Sequence, residues 1–97
     1  MSLNDTFIQA TKDIMKIKKN PADQDMLQVY ALYKQATMGD CNTEQPAFFN
    51  IKASAKWNAW NSKKGLSSDL AKKTYIRLVN ILKKSCGFDS WFRSEDV

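Results

Sequence analysis

Histidine does not occur in this chain. Its absence removes the commonest general base and the commonest metal ligand. Cysteine is scarce as well: Cys41 and Cys86 stand 45 positions apart with no second pair. No thiolate cluster with zinc-ligand spacing can be built from them. One disulfide or two thiols both fit that count, and a reducing compartment favours the thiols. The nucleotide-binding Gly-rich loops and the nucleophile elbow, GxGxxG, GxxxxGK[ST] and GxSxG, are all missing. The acidic pairs Asp23/Asp25 and Glu95/Asp96 fit a helix start and a solvated tail better than acid–base catalysis. No catalytic residue and no metal site is therefore expected, and a binding module is favoured over an enzyme.

Glycine and proline are also few, three and two in 97 residues, against 43% hydrophobic and 26% charged residues. That composition belongs to one ordinary globular domain rather than to a disordered or repetitive chain. No apolar run approaches the roughly 18 residues needed to span a bilayer. The opening "MSLNDTFIQA" lacks a signal-peptide profile, so a cytoplasmic location is expected.

Charge is present in excess of one sign, and unevenly. Residues 1–50 carry five lysines against six acids, whereas residues 51–87 carry eight lysines and Arg77 against Asp69 alone. Such a segment either meets something anionic or forms a solvated face.

Four helical segments and no strand emerge from the hydrophobic periodicity. Phe7, Ala10, Ile14 and Ile17 form the stripe of the first, with Asn4, Asp5 or Thr6 as its cap. "KNPAD" breaks the chain at Pro21 and offers Asp23 as the next cap. The second helix runs through Met26, Leu27, Tyr30, Ala31 and Tyr33 and stops at Gly39. A long loop, "DCNTEQPAFF", follows; connections of this length often cover a core or frame a site. Asn50 opens the third helix, which puts Trp57 and Trp60 on one face as expected core residues. Ser67 caps the fourth, whose stripe is Ala71, Tyr75, Leu78 and Leu82, and Gly87 closes it. Residues 1–87 are expected to form the domain, and 88–97 a short aromatic tail with either a loosely docked or a partner-binding role. The architecture expected is an all-α four-helix bundle.

Two constellations could hold an anion. Tyr30 and Lys34 are i and i+4 on the second helix, with Tyr33 beside them. Phenols and an ammonium on adjacent turns suit a phosphate next to an aromatic ring, or form a wet helix edge. On the third helix Lys52, Lys56 and Lys63 return to nearly one direction, where ammoniums repel unless an anion or water separates them.

The ordered motifs that contain these residues are more specific than the residues alone. "YALYKQATMGD", the "NP" turn before it, and "FFNIKASAKWNAWNSKKGLSSDLAKKTYI" together resemble the acyl-CoA-binding protein family over roughly residues 4 to 87. The resemblance implies an up-down-down-up bundle that binds one medium- to long-chain fatty acyl-CoA without catalysis or cofactor. It implies that Tyr30, Lys34, Lys56 and Tyr75 gather around the nucleotide, with Tyr33 and Lys52 from the same motifs beside them. Thr11, Met15, Met26, Leu27 and Ala55 are the positions carried over to the acyl groove. Met15, Asn20, Ala47 and Ser54 depart from the family's usual pattern; Met15 and the Phe48/Phe49 pair are expected to bear on the groove and its chain-length preference. The implied role is a monomeric carrier and pool former for acyl-CoA, in transient contact with membranes or acyl-CoA-using enzymes and not with nucleic acid. A nucleic-acid-binding helical domain using the basic segment is the competing class, and a module of a larger lipid enzyme is a third.

Overall fold

The computed structural model describes residues 2–87, and its described residues contain four α-helices, α1 (Leu3–Asp13), α2 (Asp23–Met38), α3 (Ile51–Asn61) and α4 (Ser68–Cys86). The tail expected at 88–97 lies outside the described residues. Two helix starts fall where the sequence puts them. Asn50 accepts the Ala53 N–H and Ser67 accepts the Leu70 N–H, each satisfying one orphan donor of the first turn. Two others differ. Helix α1 begins a turn earlier than expected, capped by the Ser2 hydroxyl on the Asp5 N–H. Ser2, Asn4, Asp5 and Thr6 all have cap-type side chains, so composition could not choose among them. Asp23 is the first residue of α2, not its cap; Ala22 holds that position without a side-chain hydrogen bond. Asp23 and Asp25 still place negative charge in the first turn, where it complements the helix dipole.

The core is made by three helices. Phe7 and Ala10 of α1, Val29, Leu32 and Ala36 of α2, and Ala71, Tyr75, Val79 and Leu82 of α4 form one buried cluster. The expected stripe of the first segment does not continue as one α-helix. It gives way after Asp13 to a 3-10 turn (Ile14–Lys16) and an extended Ile17, yet Ile14 and Ile17 still pack against the cluster. The bend brings the chain to the end of α4, where Lys18 and Lys19 N–H groups donate to the Gly87 and Cys86 carbonyls.

Cross-helix contacts fix the directions. Lys72 reaches Asn4 and Lys83 reaches Asp13, so α1 and α4 run parallel. Ser68 donates to the Ala36 carbonyl and Gln35 to that of Leu66, so α2 runs antiparallel to α4. Helix α3 packs on α2 with Trp60 near its end against Gly39, and Ile51 and Lys52 at its start face Asp23 and Met26. It is therefore parallel to α2, and the topology is up-down-down-up. A parallel pair requires a crossover: α3 is 11 residues long, about 16 Å, and the loop from Gly39 to Asn50 runs back over that distance. Gly39 starts the return at φ +83 and ψ −155, a region that essentially only glycine enters.

Asp13 is nearly buried between α1 and α4. Burial favours its neutral form, but the Gln9 carboxamide at 2.9 Å and the Lys83 ammonium at 3.0 Å outweigh this and lower its pKa. A depressed folded-state pKa gives stability above the unfolded value of about 4 that is lost as pH falls through the folded one. Asp13→Asn should therefore cost about 1–2 kcal/mol at pH 7. In urea melts at successive pH values, that difference should shrink once the pH drops below about 4.

Candidate functional site

Helix α3 stands outside the three-helix core, and the gap between it and α2 forms a concavity. One wall comes from Asp23, Met26, Leu27 and Tyr30, which follow one another along one side of α2. The other comes from Ile51, Lys52, Ala55 and Lys56, two i, i+4 pairs of α3. Together they enclose about 530 Å³, mostly between apolar side chains. Tyr30 and Lys56 also border a smaller hollow of about 280 Å³ further along, under the long loop. Lys34, Thr43, Pro46, Ala53, Trp57 and Trp60 complete it. The site is thus a long cleft with a cationic–aromatic waist.

The tryptophans hold the loop that roofs the hollow. Trp60 is buried, and its indole N–H donates to the Gly39 carbonyl at 2.8 Å. Trp57 is only half-buried, not core as expected, because its indole turns to the loop and donates to the Thr43 carbonyl at 3.0 Å. The lysines are seated as well. Lys34 Nζ lies 4.9 Å from the centre of the Trp60 ring, and Lys56 Nζ lies 5.5 Å from that of Tyr30. Each ammonium sits over an aromatic face within cation–π range.

Seven of the residues singled out in the sequence thus come together here: Met26, Leu27, Tyr30, Lys34, Lys52, Ala55 and Lys56. Four do not line this cleft. Tyr33 turns toward α1 and stacks on Phe7, with ring centres 6.1 Å apart. Tyr75 is 2% exposed, edge-on to Phe7 at 5.0 Å. Thr11 spends its hydroxyl on the Ile8 carbonyl in its own helix. Met15 stands on the 3-10 turn, 85% exposed. Sequence reasoning missed Ile51, although it is the i−4 partner of Ala55. It also missed Thr43 and Pro46, whose place depends on the path of the loop, for which no periodicity exists. Phe48 and Phe49 stay outside the cleft, at 90% and 75% exposure.

A four-helix module whose parallel α2–α3 pair holds an apolar cleft ending among lysines and aromatics has the two kinds of surface that an amphipathic anion would need. The comparisons with known proteins agree on the family. The family model "Acyl CoA binding protein" matches residues 4–79. Acyl-CoA-binding protein homolog 1 of Caenorhabditis elegans is 43% identical over 77 residues, 79% of this chain and 90% of that one. The crystal structure of Oryza sativa acyl-CoA-binding protein 2 superposes with a TM-score of 0.83 at 34% identity, covering 86% of this chain and 90% of that one. The solution structure of the yeast acyl coenzyme A binding protein gives 0.66 at 41% identity, over 82% and 93%. The chain belongs to the acyl-CoA-binding protein family.

The burial of Tyr75 has a measurable consequence. Burial, helped by the neighbouring Tyr33, pushes its phenol up to about 12. A pKa raised on folding gives stability that is complete below the unfolded value near 10 and disappears as pH rises toward the folded one. We expect the Tyr75 ring carbon signals in NMR to titrate near pH 12, and stability measured by urea melts to decline from about pH 10 upward.

Proposed function

We propose that this chain binds medium- to long-chain fatty acyl-CoA esters, one per molecule, and serves as an intracellular carrier and pool former without catalysis. The observation that carries this reading is the waist at Tyr30 and Lys56, where the apolar cleft passes into the cationic hollow. An acyl-CoA has the same division. Its acyl chain is apolar, its adenine is flat and aromatic, and its ribose phosphate carries nearly two negative charges at neutral pH.

In this reading Met26, Leu27, Ile51 and Ala55 take the acyl chain. Tyr30 offers its ring to the adenine while Lys34, Lys52 and Lys56 meet the phosphates. Tyr33, Tyr75, Thr11 and Met15 keep their assignment on the family resemblance alone. Each methylene removed from water is worth about 0.8 kcal/mol, and a base stacked on an aromatic ring about 1–3 kcal/mol. About ten buried methylenes would therefore outweigh the head-group contacts before ordering costs are subtracted. The head group sets identity and the chain sets much of the affinity. Nothing in the proposed contacts breaks the thioester: the side chains bind and orient, and the cleft shields the acyl chain from water.

A nucleic-acid reading would instead use the outward row Lys73, Arg77 and Lys84 on α4. It leaves the apolar cleft unexplained.

Calorimetry at moderate salt separates these readings. Palmitoyl-CoA should bind tightly at 1:1, free CoA far more weakly, and duplex DNA not at all. Free CoA binding as tightly as the ester would remove the groove assignment. Tyr30→Ala and Lys34→Ala should each weaken the ester by about tenfold or more, and full affinity in both variants would dismiss the nucleotide site.

A further inference from the structure

The four large apolar residues that are at least three-quarters exposed among the described residues share one end of the bundle. They are Met15 (85%), Phe48 (90%), Phe49 (75%) and Ile51 (79%). Parallel α1 and α4 finish at this end, and α2 and α3 begin there. Four such side chains at one end, three of them within the stretch 48–51, are not the scattered single exposures that any soluble surface shows.

The phenylalanines are presented by a built feature. The Asn50 N–H donates to the Ala47 carbonyl at 2.9 Å, which closes a turn with Phe48 and Phe49 at its two corners. The Ser54 hydroxyl donates to the same carbonyl at 3.3 Å, and the Asn50 side chain caps α3, so the turn is fastened to the helix. The two rings brace each other edge-to-face, with centres 5.7 Å apart. Turn corners favour Gly, Asn, Asp, Ser and Pro. Two phenylalanines there break the local rule with no gain in core packing, and such breaks cluster at functional sites.

Among the described residues, the charge at this end of the bundle has one prevailing sign. Lys16, Lys18 and Lys19 follow α1, Lys52 opens α3, and Lys83 and Lys84 close α4, against Asp13, Asp23 and Asp25. Asp13 and Lys83 pair with each other at 3.0 Å, so neither adds to that balance. Ile51 belongs both to the exposed group and to the wall of the cleft, so the knuckle is continuous with the apolar part of the site.

We propose that this end of the bundle docks on an anionic lipid bilayer, inserting Phe48 and Phe49 at the headgroup boundary while Lys16, Lys19, Lys52 and Lys84 of the same end meet lipid phosphates and carboxylates. The surface is a convex apolar tip, not a groove. A deformable medium covers such a tip without shape complementarity, and exposed aromatic side chains at an end rich in lysines are what an anionic interface holds. The inference rests on the acyl-CoA reading in one respect: docking at the cleft's own mouth lets an acyl chain pass between protein and bilayer without crossing water.

Co-sedimentation of the full chain with phosphatidylcholine vesicles, with and without phosphatidylserine, tests this. The parent should bind the phosphatidylserine vesicles and release as salt rises from about 0.1 to 0.5 M. Phe48→Ser/Phe49→Ser should partition about tenfold more weakly while melting like the parent and keeping its palmitoyl-CoA affinity in vesicle-free calorimetry. Equal partition by parent and variant would overturn the proposal, as would a parent indifferent to phosphatidylserine. A parent that sediments alone as a dimer, with the variant monomeric, would assign the tip to a second copy. Lost palmitoyl-CoA affinity in the variant would place the rings in the groove and also overturn docking. Vesicle binding that survives in a chain with no affinity for palmitoyl-CoA would leave the docking face standing and remove the carrier reading instead.

Discussion

The carboxamide of Gln35 is the contact on which the arrangement of the helices depends. It is buried near the end of α2, and its Nε2 donates to Asp40 Oδ1 at 2.8 Å and to the Leu66 carbonyl at 2.9 Å. Both neighbours are acceptors, so only the amide nitrogen can face them, and Oε1 is left buried without a partner. Asp40 takes a further hydrogen bond from the Gly65 N–H at 2.8 Å. That bond and the one from Gln35 hold its carboxyl below the usual range. One side chain thus fastens the exit of α2, the start of the long loop and the turn between α3 and α4. Ser68 on the Ala36 carbonyl and Trp60 on the Gly39 carbonyl tighten the same knot. An unmet buried acceptor costs about 1–3 kcal/mol. The fold carries that cost where three chain segments converge.

This knot makes the molecule asymmetric along its length. Where α2 and α3 end, backbone and side-chain polar groups close on one another and the chain is drawn tight. Where they begin, no such hydrogen bonds among the described residues tie α2 to α3, and the interface opens into the cleft. The apolar core is already complete with α1, α2 and α4, so α3 is free to stand off from it. Its contribution to the core cluster is nil, and its buried Trp60 serves the loop. The parallel crossover is therefore more than a topological detail. An antiparallel hairpin would set a short turn at one end of the pair, whereas the long return loop supplies Thr43 and Pro46 to the site and Phe48 and Phe49 to the surface.

What the sequence made legible followed from rules with fixed geometry. The i, i+4 pairs Tyr30/Lys34 and Lys52/Lys56 led to the cleft; Asn50 marked a helix start as the lone cap candidate between Phe49 and Ile51, and Ser67 did so as the first of three cap-type residues in a row. The glycines at 39 and 87 end their helices at φ +83 and +81. The stripe of the first segment mixed an α-helix with a 3-10 turn because apolar spacing of three or four residues suits both. Tyr33 and Lys34 are neighbours in sequence, yet about 100° apart around the helix, which sends one toward Phe7 and the other toward Trp60. The role of the tryptophans was illegible for a different reason. Their indole donors answer to loop carbonyls 14 and 21 residues away, and such partners are set by tertiary path alone.

The same geometry resolves the difficulty of gathering lysines around one cleft. Like charges on neighbouring turns repel, yet Lys34 and Lys56 are separated by leaning over different rings, Trp60 and Tyr30. A cation–π contact at an exposed site is worth about 0.5–1 kcal/mol, enough to position an ammonium but less than a charge-assisted hydrogen bond, about 1.5–3 kcal/mol. A phosphate oxygen entering the hollow would therefore draw each lysine off its ring at a small cost. Tyr30, no longer under Lys56, would then present a free face to a base. Holding and releasing would then be balanced by the same two lysines, as the proposed carrier role requires.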